Sequence, residues 1–504
     1  MPLKVSTKNP RYFEDSTGNA VLLTGSHTWS NLQDQGSTSS GKLDLDFDRY
    51  TDWMKANNQN FMRLWAWENP AGAAWRTDDW RIDPMPFART GPGVAADGKP
   101  KFDLTKFNQN YFDELRERVI EAGQDGIYVS VMLFQGWSLE DKNQGGVNPW
   151  KYHPFNKDNN INNVNGDPGN TGKGNTTHTT NAPAGVETAQ KAYVRKVIDT
   201  LNDLDNVLYE ISNESLGTSA QWQHEMIDYI KDYEATKPKQ HPVGMTMIEA
   251  SHDKLFNSDA DWISPGAVGG YGTDPPAANG SKVILSDTDH IWGMGGDASW
   301  VWKSFTRGLN PIMMDDLKGT SVYPGGITDG AGSLWPPSNS SDGLYTVRLG
   351  MKQVADYAEK IDLDSAKPSG SLTSTGYMLA DPGDQYLAFA PSGGTFTVNL
   401  SAGAGEKFTV EWLNVNTGAK VTSATISGGS TAHSFTAPFS GPAALFLDDT
   451  TDPLPPPNRI KNDFNNDGRS DILWQQDNGT GVWIWEMNGT TKIGEGYVGA
   501  GGAG

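Results

Sequence analysis

Along the first 316 positions apolar residues come in short runs, and between the runs the apolar positions recur at helical spacing. Short apolar runs bounded by turn formers predict buried strands, and amphipathic stretches between them predict crossover helices. Eight runs read this way: "AVLLTGS" (20–26), "NFMRLWAW" (60–67), "IYVSVMLF" (127–134), "NVLYEIS" (206–212), "PVGMTM" (242–247), "DWISP" (261–265), "KVILSD" (282–287) and "NPIMMD" (310–315). "FDRYTDWMKANN", "NYFDELRERVIEAGQDG" and "AQKAYVRKVIDTLNDLD" lie between them and end in Asn, Gly or Asp, as helices do. Strands alternating with helices predict an α/β fold with a parallel sheet, and eight such units predict a (β/α)8 TIM barrel over residues 1–362. "YTVRLGMKQVADYAEKID" (345–362) is its last helix.

The alternation has one long gap. Residues 135–186 form a loop dense in Asn, Gly and Thr after the third strand, where it would overhang the C-terminal face of a barrel. An active-site lid is the expectation for it.

Beyond residue 362 the apolar period changes to two. "QYLAFAP", "GTFTVNL", "KFTVEWLNVNTGAKV", "HSFTAP" and "AALFLDD", split by Gly, Ser and Pro, predict a small antiparallel β-sandwich over 363–449. "TTDPLPPPN" (450–458) is an extended proline-rich linker. The unit over 459–504 opens with "DFNNDGRSD", where Asp463, Asn465, Asp467, Arg469 and Asp471 alternate and Gly468 stands at the turn. Oxygen side chains at positions 1, 3, 5 and 9 with Gly at 6 fit a calcium loop of EF-hand type, the alternative being a solvated acidic turn. The residues that follow read as strand, turn, strand.

Composition narrows the function. The 504 residues suffice for about three domains. A net charge of -21 disfavours nucleic acid and anionic membrane surfaces as partners. Without cysteine there is no disulfide framework, thiolate zinc site or Cys nucleophile. The 18 tryptophans suit the faces of sugar rings, although large β-rich proteins also bury many aromatics. The N-terminal residues lack the apolar core of a signal peptide and no run is long enough to span a membrane, so a secreted or cell-surface location implies a signal that this sequence does not show.

In a barrel, side chains at the C-terminal ends of the strands share one pocket. Glu214 follows the fourth strand and Asp287 ends the seventh. Glycoside hydrolysis needs such a pair, one carboxyl protonated to serve the leaving oxygen and one ionised to attack or to activate water. Asn213 is placed to bind the hydroxyl beside the anomeric centre, while helix capping is the bland reading of "SNES". If the seventh strand stops at Ser286, Asp287 is the first residue to face the pocket; Asp289, in the rim with His290, is the alternative nucleophile. Arg63 can steady the nucleophilic carboxylate or serve as an internal ion pair. Glu68, His27, Trp29, Asp34, His290 and Trp292 complete the expected substrate-binding set, each singly compatible with ordinary packing. No HExxH, Walker or GxSxG motif stands in its required context, and no cofactor is expected for catalysis.

"NPRYFEDSTGNAVLLTGSHTW", "NFMRLWAWE", "DNVLYEISNES" and "SDTDHIWG" together resemble the apiosidase-like glycoside hydrolases of the large retaining clan, over about residues 5 to 360. The sandwich is similar to a domain named for collagen binding, with no collagen ligand expected, and the C-terminal unit resembles an FG-GAP repeat. The resemblance implies a (β/α)8 catalytic domain and action on plant cell-wall polysaccharide, with apiose in pectin side chains as one substrate. It implies Asn213 and Glu214 as the acid/base motif and puts Asp287 where the clan carries a nucleophilic Glu. The shorter Asp puts the retaining outcome in doubt. An endo-acting glycanase and a non-catalytic carbohydrate-binding or adhesion protein are the alternatives.

Overall fold

A computed structural model describes residues 1–37, 41–43, 45–247, 252–315, 343–450, 472–475, 482–488 and 491–499. Its centre is an eight-stranded parallel sheet. The strands are β1 (Gly25–His27), β2 (Phe61–Leu64), β3 (Tyr128–Gln135), β4 (Val207–Asn213), β5 (Val243–Thr246), β6 (Trp262–Ser264), β7 (Val283–Asp287) and β8 (Asn310–Met314). Each lies within or overlaps one of the eight predicted runs. They are bonded in the order β1-β8-β7-β6-β5-β4-β3-β2. The ends of that order meet, because Gly25 lies so close to β2 that a Cβ there would stand 2.0 Å from the Phe61 carbonyl oxygen. Only glycine admits this approach. The sheet is therefore a (β/α)8 barrel.

The predicted first strand is broken. Ala20–Val21 joins Lys4–Val5 and Phe13–Glu14 in a small antiparallel sheet, and only Gly25–His27 enters the barrel. Two side-chain amides account for the break: Leu23 N–H donates to Asn310 Oδ1 and Thr24 N–H to Asn60 Oδ1, both at 3.0 Å. Those donors are satisfied without a neighbouring strand.

Helices α1 (Phe47–Ala56), α2 (Gln109–Gln124), α3 (Ala184–Leu201) and α4 (Ala220–Glu234) follow the first four strands. A single turn, α5 (Asp253–Phe256), follows β5, and a 3-10 turn at Val268–Gly270 follows β6. Helices α6 (Ala298–Thr306) and α7 (Tyr345–Ala358) follow β7 and β8. Between β2 and α2 the chain makes an excursion absent from the sequence reading. Strands Ala71–Ala73 and Arg76–Asp83 pair with Asp34–Ser37 and Gly41–Leu43, and a hairpin joins Phe87–Val94 to Pro100–Phe107. "RTDDWRID" alternates at the solvated period of such a strand.

Past the barrel, a six-stranded antiparallel sheet runs in the order Lys367–Pro368, Met378–Asp381, Gln385–Ala390, Ala443–Asp449, Lys407–Asn414, Lys420–Ser427, with Gly393–Val398 and His433–Ser440 forming a separate pair. It shares an apolar core with α6 and α7. Trp302 stacks on Phe389 at 5.9 Å, and Tyr357 O–H donates to Glu411 at 2.6 Å. Ile472–Gln475, Val482–Asn488 and Thr491–Gly499 form a three-stranded antiparallel sheet. The proposed calcium ligands Asp463, Asn465, Asp467, Arg469 and Asp471 lie outside the described residues.

Candidate active site

A guanidinium organises the C-terminal mouth of the barrel. Arg63 on β2 is wholly buried, and each of its five N–H groups has an acceptor. Nε donates to Glu210 Oε2 at 2.9 Å and Nη2 to Glu210 Oε1 at 2.6 Å, a bidentate pair across to β4. Nη2 also donates to Asn213 Oδ1 at 2.6 Å. Nη1 divides between Asp287 Oδ2 and Asp289 Oδ2, both at 2.9 Å. One cation thus faces three carboxyl groups in a site closed to bulk water.

Asp287 is the best satisfied of the three. Both its oxygens lie 3.0 Å from His27 Nε2, and Oδ1 also accepts the Asp289 N–H at 2.9 Å. The Trp65 indole donates to His27 Nδ1 at 2.8 Å. An indole N–H can only donate, so the His27 proton sits on Nε2 and points at Asp287. Burial opposes ionisation of Asp287, but His27 and Arg63 outweigh it and hold the carboxyl well below the usual range. Its side chain has no exposed surface.

Asp289 differs in every respect. Its only side-chain hydrogen bond among the described residues comes from Arg63, and Oδ1 accepts none. Burial and the charge of Glu214, partly offset by Arg63, push its carboxyl well above the ordinary value. Asp287 is the first residue to face the pocket only if the seventh strand stops at Ser286; β7 instead runs on to Asp287. The protein encloses Asp287, and the turn after β7 brings Asp289 to the mouth.

Asn213 and His290 fill the space beside Arg63. The Asn213 carbonyl accepts from Arg63 and lies 3.0 Å from His290 Nε2; its amide donates to Gln135 Oε1 at 3.3 Å. Because the Asn213 oxygen can only accept, His290 carries its proton on Nε2, and Nδ1 accepts from Ser264 Oγ at 2.7 Å. Burial and the Arg63 charge bring His290 down to about 3, a neutral ring. Asn213 keeps one amide hydrogen without a partner among the described residues.

Glu214 adopts φ of 44°, the left-handed region. Such a conformation persists in a non-glycine residue only where the surroundings hold it. Gly136, the first residue after β3, approaches so closely that a Cβ there would meet the Glu214 oxygen at 2.3 Å. Lys142 Nζ donates to that same carbonyl at 3.1 Å. The Trp137 indole donates to Glu214 Oε2 at 2.7 Å, Oε1 accepts no hydrogen bond among the described residues, and the side chain is 16% exposed. Lys142 lies over the Trp137 ring at 4.6 Å and 3.7 Å from Oε2. The long segment after β3 therefore supplies the setting of Glu214. Neither Trp137 nor Lys142 belongs to a motif in the sequence.

Two expected substrate contacts, Glu68 and Asp34, have protein partners of their own. Glu68 Oε1 accepts the Gln135 N–H at 2.8 Å, and Oε2 lies 3.3 Å from His153 Nε2. His178 Nε2 is 3.1 Å from Oε1 but out of line for a hydrogen bond; its ring stacks on Trp222 at 4.5 Å. His153 and His178 both belong to the long segment, so Glu68 fastens that segment to β2 and β3. Beside it is a cavity of about 20 Å3, room for roughly one water. Asp34 heads the strand Asp34–Ser37, which pairs with the excursion and sets Asp34 opposite Asp83, and its charge helps raise Glu114 on α2. The Trp29 carbonyl accepts from the Trp67 indole and the Gln35 amide.

The Glu68 cluster carries a pH signature. Burial would raise the carboxyl, but His178 and His153 outweigh it and bring it down to about 2, from an ordinary 4.5. A lowered folded value stabilises the protein above the unfolded value and is lost as pH falls through the folded one. Glu68→Gln is expected to cost on the order of 3 kcal/mol near neutrality in urea unfolding, and the gap should close between pH 4.5 and 2. A gap independent of pH would remove the ionised pair from the explanation.

Ligand atoms of Asp287, Asp289 and His290 lie within 4.8 Å of one another, close enough for a metal ion. The fit is poor. Arg63 occupies the space between the carboxylates, and both His290 nitrogens are engaged.

A family model described as "Domain of unknown function (DUF6298)" matches residues 76–262. No curated protein matches the chain. Among solved structures, a glycoside hydrolase family 5 from Bacteroides vulgatus is similar at 12% identity and TM-score 0.55, over 92% of this chain and 95% of that one. Another, titled a glycoside hydrolase, is similar at 13% identity and TM-score 0.54, over 90% and 98%. Among the described residues no helix is long and apolar enough to cross a membrane. At this level of identity the likeness is one of architecture, and the (β/α)8 barrel is what it establishes.

Proposed function

We propose that the protein is a glycoside hydrolase, with Glu214 and Asp289 as its reacting pair. One observation carries the reading: at the mouth, just past strands four and seven, these two carboxyl groups each keep an oxygen free of protein donors among the described residues. They are also close enough for the Glu214 charge to lift Asp289. Such a pair shares one proton, because the two cannot ionise together at little cost. Asp289, the carboxyl pushed up, holds that proton in the free protein; once it passes to Glu214 the acid serves the leaving oxygen while Asp289, steadied by Arg63, meets the anomeric carbon or activates water. Asn213 can offer its spare amide hydrogen to the neighbouring sugar hydroxyl, where the bond strengthens as positive charge develops. Asp287, His27 and Trp65 fix Arg63 in place.

The names carried by structures of like fold agree with this reading. Plant cell-wall glycan as the substrate, including apiose in pectin side chains, extends it on the strength of the sequence resemblance, as does a secreted or cell-surface location.

The test is sugar release from mannan, xylan, xyloglucan and apiose-bearing pectin. Wild type is expected to release sugar from at least one. Glu214→Gln should lose about a hundredfold on that polymer while keeping the first step on an activated aryl glycoside, which needs no acid. Release of nothing by wild type would favour the carbohydrate-binding alternative, and equal rates for the two proteins would remove Glu214 from the mechanism.

A further inference from the structure

The mouth of the barrel is flanked by tryptophan on opposite sides. After β3, Trp137 donates to Glu214 and packs edge-on against Trp75 at 5.7 Å, and Trp75 is 43% exposed. After β7, Trp292 is 44% exposed. Strands β3 and β7 stand four places apart in a ring of eight, so Trp137 and Trp292 follow opposite strands of the barrel.

Trp292 is built into a site. Its backbone N–H donates to the Thr288 carbonyl at 2.7 Å, in the same turn that presents Asp289. The indole lies on glycine: a Cβ on Gly296 would come 3.1 Å from the ring, and one on Gly272 3.7 Å. Trp300 closes one side edge-on at 5.4 Å. The result is a pocket of about 550 Å3, lined also by Lys303 and Asp297, and its Trp292 stands three positions after Asp289 in the chain. A flat aromatic face among polar groups is the surface that a saccharide ring covers, its C–H groups on the indole and its hydroxyls on the rim.

We propose that this pocket binds a sugar ring of the same glycan chain beyond the bond being cut, so that the substrate lies across the mouth from the Trp75 side to the Trp292 side. The proposal rests on the glycosidase reading and sharpens it towards an enzyme that grips several consecutive sugars. A site for a single terminal residue has no use for aromatic faces at both ends.

The experiment measures binding without turnover. Full-length Glu214→Gln protein, with and without Trp292→Ala, is titrated calorimetrically with the disaccharides and hexasaccharides of β-1,4-linked glucose, mannose and xylose. At least one hexasaccharide is expected to bind the parent tighter than its disaccharide, and Trp292→Ala to reduce that advantage about tenfold. Trp292→Phe should retain most of it, which separates a lost ring face from a lost fold. The proposal is overturned if no hexasaccharide outbinds its disaccharide, or if Trp292→Ala leaves the advantage intact. If the advantage depends on Trp292 but wild type releases no sugar from any polymer, the subsite stands and the catalytic reading falls.

Discussion

Asp289→Ala is expected to lower kcat on an activated aryl glycoside by about a thousandfold, and added azide to restore part of the rate. Among the described residues the carboxyl it removes has one donor and one free oxygen, so a small anion can enter the space and take over attack on the anomeric carbon. The azide forms the new bond as the aryl oxide leaves. If Asp289 is the nucleophile in a retaining enzyme, the glycosyl azide has the configuration opposite to the substrate's. Glu214→Ala in azide should instead give the substrate's own configuration, because the anion then intercepts an intermediate already inverted once. Asp287→Ala is expected to behave differently from both. Its oxygens are covered by His27, Arg63 and a backbone N–H, and azide has no route to replace it. Rescue of Asp287→Ala with no rescue of Asp289→Ala would return the nucleophile to Asp287 and overturn the present reading.

How much of this was open to sequence reading follows from what each residue depends on. The barrel was legible because every strand is a local run buried on both faces, as β4 shows over its whole length. Asn213 and Glu214 were legible for the same reason, since a strand end is a local property. The difference between Asp287 and Asp289 was not, because it depends on Arg63 and His27, brought in from strands more than 200 residues away in the chain. Glu210 stands mid-run in "NVLYEIS", where no motif points to it. A carboxylate inside a buried strand is nevertheless a signal, since it must find a partner, and Arg63 inside "FMRLW" is its counterpart. Trp137 and Lys142 had no such signal. Their segment has no apolar period, and their role arises when Gly136 docks against the Glu214 backbone. The place of Glu68 just beyond β2 suggests a substrate contact and gives no sign of its histidine partners, which lie about 85 and 110 residues further on.

Arg63→Met should produce the largest loss of stability of any single change considered, about 3–5 kcal/mol in urea unfolding near pH 7. Methionine fills much of the same volume without the charge, so the loss measures the electrostatics more than a cavity. Without the guanidinium, Glu210, Asp287 and Asp289 face one another with five donors gone. Their repulsion and desolvation are then uncompensated, the costly way to break a buried ionic network. The pH dependence separates this account from ordinary packing damage. In the wild type, Asp287 is held below its unfolded value, so its contribution is present above that value and is lost as pH falls. In the variant the carboxyl groups are no longer held down, and protonation relieves them. From near pH 7 to near pH 4 acid relieves the variant, and below about pH 4 it also weakens the wild type, so the gap between them should narrow across both ranges. A gap that stays constant would mean that Arg63 stabilises the barrel by filling space, and Asp289 would then need another source for the charge that keeps it ready to react.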